Sequence, residues 1–197
     1  MQLNRLEKAL MNNPVRAAIQ RTFEGSQLLR LGGRLGGGRA LEIGCGRGVG
    51  TELILDRFGA DRVDAFDLDP HMVSLARRRL ARHGDRVRLW TGDACAIDAP
   101  DGSYGAVFDF AIIHHIPDWR RALDEVHRVL APGGRFYAEE VLAAFIHNPV
   151  WRRLLDHPMT DRFDHATWVA ALEQHGFAIL GARQLAGQFN WVVATRA

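Results

Sequence analysis

The chain has 197 residues, 47% of them apolar and 24% charged, with a formal net charge of +2. That size and balance suit one domain with a proper core and imply no strong electrostatic partner, nucleic acid included. The two cysteines, Cys45 and Cys95, have no zinc-site or CxxC spacing, so a reducing, cytoplasmic setting without a bound metal is expected.

Taken in chain order, residues 1–31 read as two or three helices. Asn13 is placed to cap the second and Pro14 to occupy its first position. The N-terminus, with Arg5, Glu7 and Lys8, does not read as a signal peptide, and no apolar run is long enough to span a bilayer. "GGRLGGG" at 32–38 reads as a flexible connection. An alternation then begins. "RALEI" (39–43) is a short apolar strand, followed by a helix from about Val49 to Phe58. "RVDAFDL" (62–68) is a second strand and "PHMVSLARRRLARHG" a second helix. "RVRLW" (86–90) is a third strand closed by "TGDA", and "YGAVFDF" (104–110) a fourth. "WRRALDEVHRVL" is an amphipathic helix stopped by "APGG", and "GRFYAEEVL" is a fifth strand. "HATWVAALEQHG" is a last helix, before "FAILGARQL" and "FNWVVATR" joined by "AGQ". Strands alternating with helices predict an α/β, doubly wound sheet of parallel strands with right-handed crossovers. The terminal pair must be antiparallel, because three residues cannot make a parallel crossover.

The chemistry concentrates after the first strand, where Gly44, Gly46, Gly48 and Gly50 alternate with Cys45, Arg47 and Val49. In open α/β sheets ligands sit at the carboxyl ends of the strands, so this is a cofactor loop. A dinucleotide site wants G-x-G-x-x-G. Counted from Gly44, the last of those positions is Val49. Glu42, just before the loop, would repel a pyrophosphate and suit a cationic ligand.

"LEIGCGRG" resembles the first motif of class I S-adenosylmethionine-dependent methyltransferases, an acidic residue followed by x-G-x-G-x-G. The resemblance continues in "VDAFDLDPHMVSLAR", "GDA" (92–94), "YGAVFDFAIIHHIPDW" and "VLAPGGRFYAEE", five motifs in order over residues 39–140. It implies a Rossmann-like seven-stranded sheet with the last strand antiparallel and helices on both faces. It implies S-adenosylmethionine as cofactor, S-adenosylhomocysteine as product and a small-molecule methyl acceptor. Glu42, Gly44, Cys45, Gly46 and Gly48 would support the amino-acid end. Asp67 would bind both ribose hydroxyls, with Leu68 beside it, and Asp93 and Ala94 the adenine edge. Asp109 and Phe110 would reach the cofactor from the end of the fourth strand. Tyr104-Gly105 replaces the usual Phe-Asp there. Asp109-Phe110-Ala111-Ile112 lacks the prolines of the amino-methylating Asn/Asp-Pro-Pro-Tyr members.

Other residues divide between chemistry and support. Asp69, before Pro70, is placed to cap a helix. Cys45 and Cys95 read as small residues in tight loops. His114 and His115 are candidate proton acceptors for a hydroxyl or carbon acid, although such a pair commonly packs. Arg77, Arg78, Arg79 and Arg82 read as a solvated helix face. By the resemblance, the N-terminal helices with their linker (1–38) and residues 141–164 would form a substrate lid around a core of 39–140, ahead of the final helix and hairpin (165–197). Phe145, His147, Trp151, His157, Met159 and Phe163 fall in that lid and suggest an apolar or amphiphilic acceptor. Two alternatives stay open, a nicotinamide-dependent oxidoreductase and a non-catalytic cofactor-binding module.

Overall fold

The computed structural model describes residues 13–149 and 159–197. The helix expected within residues 1–12, Trp151 and His157 lie outside these. Helix α1 (Pro14–Ile19) runs through a π turn (Gln20–Glu24) into α2 (Gly25–Gly32). Asn13 caps it as the sequence predicts, its Oδ1 accepting the Arg16 N–H at 2.8 Å. The glycine-rich connection is tied down rather than loose. Leu35 N–H donates to Phe58 O, Gly38 N–H to Asp61 Oδ2, and the Tyr137 hydroxyl to Gly32 O.

Seven strands follow: β1 (Arg39–Ile43), β2 (Arg62–Asp67), β3 (Val87–Thr91), β4 (Tyr104–Phe110), β5 (Leu130–Val141), β6 (Phe177–Leu185) and β7 (Phe189–Arg196). They form one sheet in the order β3-β2-β1-β4-β5-β7-β6. Only β7 runs against its neighbours. The helices are α3 (Val49–Leu53, continued by a π turn to Phe58), α4 (Pro70–Leu80), α5 (Trp119–Val129), the short α6 (Ala143–Ile146) and α7 (His165–Gln174). Among the described residues, no helix is long and apolar enough to cross a membrane.

Side-chain alternation along the strands sends successive residues to opposite faces. Leu41, Ile43, Val107 and Phe136 pack with Trp119, Leu123 and Val126 of α5 and Trp168 of α7. Ala40, Ala65, Phe108 and Tyr137 pack with Leu28 of α2, Phe58 and Leu80. Strands buried on both faces read as near-continuous apolar runs, as "RALEI" and "YGAVFDF" do.

Boundaries differ where turns intrude. Strand β5 begins at Leu130, paired with Tyr104, and then skips to Arg135 opposite Ala106. The intervening Pro132-Gly133-Gly134 makes a turn inside the pairing, with Gly133 at φ +72°. Strand order reverses between β1 and β4, which opens a crevice beyond their carboxyl ends.

Candidate cofactor and acceptor site

The crevice is a cavity of about 780 Å³, within the usual range for small-molecule sites. Its floor is the loop after β1. Cys45 N–H donates to Phe66 O at 2.8 Å and ties the loop to β2. Gly46 N–H donates to Asp67 Oδ2 and Asp69 N–H to Asp67 Oδ1, each at 2.9 Å. Asp67 is thus aimed from two backbone donors. The capping role expected for Asp69 is met, since its Oδ1 accepts the His71 N–H.

The glycines do different work. Gly46 sits at φ +50° on the cavity wall, and a Cβ there would meet no atom within 4 Å. Any side chain at Gly46 would project into the space a ligand needs. Gly48, at φ +81°, faces the other way, where a Cβ would meet Leu80 Cδ1 at 2.8 Å. It does not line the cavity, contrary to its expected place under the cofactor; it lets the loop close onto α4. Gly50 leaves room for Glu42, whose Oε1 a Cβ would overlap.

Glu42 is 2% exposed and accepts a hydrogen bond from the Thr51 hydroxyl. Burial pushes its carboxyl up to about 8, the Thr51 hydrogen bond opposes this, and nearby Asp67 adds to it. Glu42 therefore waits largely protonated at neutral pH, ready to ionise beside a cation. Burial also raises the Cys45 thiol, and raises Cys95 to about 11. Both are neutral and poor nucleophiles at neutral pH, as their reading as small loop residues required.

Gly44, Cys45, Asp67, Leu68, Asp93, Ala94, Phe110 and His115 join Glu42 and Gly46 on the cavity wall. Asp93 is shaped by its own turn, Oδ1 accepting the Cys95 N–H at 2.9 Å. Two expected residues stand elsewhere. Asp109 is fully buried and points to the α5 side of the sheet, because Phe110 takes the cavity-facing alternation. His114 turns inward to Glu140, leaving only His115 of the pair on the wall.

The N-terminal helices were expected over the site, but none of their side chains was singled out for it. Asn13, Arg16, Ala17 and Arg21 of the N-terminal helix line the cavity, as do Met72, Ile112 and Asp118. Arg16 pairs with Glu24 and lies 3.6 Å from Glu139. No motif marks these residues; the capped helix start at Asn13-Pro14 is the one local signal. Of the arginines expected on a solvated face, Arg77, Arg78 and Arg82 are exposed, whereas Arg79 is half-buried and lines the cavity. Arg79 and Arg82 also join Arg21 around the buried carboxylate of Glu52.

Among the described residues, the apolar residues expected in a lid do not line the cavity. Phe163 is 1% exposed and stacks on Trp168, against Trp119, as plain core. Phe145 packs against Phe189, while His147 and Met159 are exposed. Among the described residues, no cluster of three or more His, Cys, Asp or Glu could hold a metal. The donor set suits S-adenosylmethionine: an open loop, a carboxylate at each of two strand ends and a buried acid able to meet a cation.

Residues 40–134 match a family described as a methyltransferase domain. A demethylmenaquinone methyltransferase of Thermus thermophilus is 35% identical over 94 residues, 48% of this chain and 43% of that protein. The chain spans less than half the length of the curated relatives it matches. In structure it is similar to an S-adenosylmethionine-dependent methyltransferase of Aquifex aeolicus, with TM-score 0.76 and 17% identity over 100% of both chains. It is likewise similar to a Haloferax volcanii protein from a complex with the Trm112 methyltransferase activator, with TM-score 0.79, 20% identity and coverage of 96% and 92%. At those identities the structural likeness establishes the fold.

Proposed function

We propose that the chain carries a class I, S-adenosylmethionine-dependent methyltransferase domain and that the protein methylates a small-molecule acceptor in the cytoplasm; the methyltransferase-domain match over residues 40–134 supports this reading. The observation that carries this is the convergence of Gly46, Asp67 and Asp93, from the ends of β1, β2 and β3, on one cavity wall.

Bound there, S-adenosylmethionine supplies an electrophilic methyl group on a sulfonium. The chain's own part is mostly to hold and align. Asp67 accepts hydrogen bonds from the two ribose hydroxyls. Asp93 accepts from the adenine amine, and the Ala94 N–H donates to the ring. Glu42, with its raised carboxyl, would be the group to ionise toward the cofactor's α-ammonium. The N-terminal helix roofs the cavity and excludes water from it. His115 faces the acceptor and is the candidate catalytic residue. Ala17, Ile112, Ile116 and Pro117 give the acceptor end an apolar wall, with Asn13 and Arg16 beside it. That mixture favours an amphiphilic acceptor.

A screen of small acceptors that reads S-adenosylhomocysteine release tests the proposal. Turnover of an acceptor with an apolar body and a polar end is expected. Cofactor binding without turnover of any acceptor would favour a non-catalytic module instead.

A further inference from the structure

Behind the cavity wall lies a buried chain of titratable groups that the cofactor site does not use. Asp109 ends β4 and Glu140 lies near the end of β5, on the same face of the sheet and each fully buried. Glu140 accepts the backbone N–H groups of Ile113 at 2.7 Å, His114 at 3.2 Å and Val141 at 3.2 Å. Its Oε2 lies 2.6 Å from His114 Nδ1. Asp109 accepts the Ile112 N–H at 2.9 Å. Burial and neighbouring Glu140 hold Asp109 well above the usual carboxylate range. Burial raises Glu140 too, to about 7, against the hydrogen bonds that it accepts, so of the pair Asp109 holds its proton to the higher pH.

The chain of contacts runs toward the cavity. The His114 ring centroid is 4.1 Å from that of His115, which lines the cavity. The turn bearing both is fixed from two sides. Ala111 stands at φ +63°, a conformation that costs a non-glycine residue energy and persists only where its surroundings enforce it. The Arg162 guanidinium donates to His114 O at 2.6 Å and Ile116 O at 3.3 Å. Glu140 helps to hold this turn through the Ile113 and His114 N–H groups, but holding it does not require the further contact of the carboxylate with an imidazole that abuts a second imidazole on the cavity wall.

We propose that His115 takes the proton of the methyl acceptor, with His114, Glu140 and Asp109 as positioning residues behind it, so that the acceptor is a nucleophile with a hydroxyl or an activated C–H. This rests on the methyl-transfer reading above. The acceptor's electron pair forms the bond to the methyl carbon, and the S–CH₃ pair stays on sulfur as a neutral thioether. The acceptor's proton passes to the His115 imidazole and leaves to solvent when the product departs. Among the described residues, Glu140, Asp109 behind it and Arg162 pack against the turn bearing the pair, and Asp118 and Asp93 share the cavity wall with His115.

The test compares wild type, H115N and E140Q, with D109N as a second positioning variant. S-adenosylhomocysteine affinity is measured by calorimetry. Its release is followed from pH 6 to 9 with phenols, β-dicarbonyl compounds and primary amines as acceptors. Proton NMR of the protein without ligand reads the His114 Nδ1 proton. Turnover of a phenol or a β-dicarbonyl is expected. H115N should lose about 100-fold or more in kcat with unchanged S-adenosylhomocysteine affinity. E140Q should lose about tenfold, shift the acid limb of the kcat profile and lose a deshielded Nδ1 resonance seen in wild type. D109N should shift the same limb. A panel in which only amines or nothing is methylated overturns the proposal. So does an H115N or E140Q enzyme with unaltered kcat and pH profile. If wild type fails to bind S-adenosylhomocysteine at all, the methyl-transfer reading falls first and takes this one with it.

Discussion

Glu42 and Asp67 are both carboxylates near the glycine loop, yet their surroundings give them different tasks. Glu42 is sealed beneath the loop with its carboxyl raised to about 8. A cation bound nearby lowers that value, so binding expels a proton wherever the free protein holds one. Affinity for S-adenosylhomocysteine, whose ammonium end supplies the charge, should therefore rise with pH from about 6 toward 8. The rise should be flatter in E42Q, and calorimetry in buffers of different ionisation enthalpy should show proton release in wild type alone. The same raised value works against folding stability with increasing pH. Between an unfolded glutamate's ordinary range and about 8, the folded state holds a proton that the unfolded state has lost, so this contribution declines as pH rises. E42Q should remove that slope in a thermal-unfolding series. Asp67 is half-buried and already oriented by Gly46 and Asp69. D67N keeps its shape and loses its charge. Charge-assisted hydrogen bonds are worth about 1.5–3 kcal/mol each, so S-adenosylhomocysteine affinity should fall at least about tenfold. Unchanged affinity in folded D67N would remove Asp67 from the ribose site.

The loop after β1 separates two roles that the sequence shows as one glycine pattern. Gly46→Ala and Gly48→Ala both put a side chain into left-handed backbone, at about 1–2 kcal/mol each. Gly48→Ala also crowds Leu80. It should lower the melting temperature further while sparing ligand binding per folded molecule. Gly46→Ala should fold, yet no longer gain thermal stability from S-adenosylhomocysteine. The reverse pattern would misplace the ligand. The division was not legible in "GCGRGVG", because spacing says where backbone freedom is needed and not which neighbour comes close. The strands were legible for a simpler reason. "RALEI" and "YGAVFDF" are buried on both faces, so their apolar runs mark them, and each ends where expected. Asp109 shows the limit of such reading. Period-two alternation puts it and Phe110 on opposite faces, but only the sheet's packing decides which face meets the ligand. Phe163 failed for the converse reason: an aromatic residue in an irregular segment looks the same whether it lines a pocket or fills a core.

At the scale of the whole molecule, one side of the cavity is built from strand ends and the other from a helix far away in sequence. Order of motifs exposed the first; the second is a tertiary approach of Asn13, Arg16 and Ala17 across the crevice, which no local pattern encodes. A roof that must open for exchange should be among the least protected parts of the free protein. Hydrogen exchange over α1 should be faster than over β1 and β4, and should slow when S-adenosylhomocysteine binds. Equal protection in the free protein would make α1 fixed structure and end the lid assignment. The central claim, that this crevice holds S-adenosylmethionine, is tested most directly by calorimetric titration of the full chain with S-adenosylhomocysteine, with NAD titrated into the same preparation. The account predicts one saturable site for S-adenosylhomocysteine, weakened by D67N, and no binding of NAD. Saturable binding of NAD with no response to S-adenosylhomocysteine would contradict it.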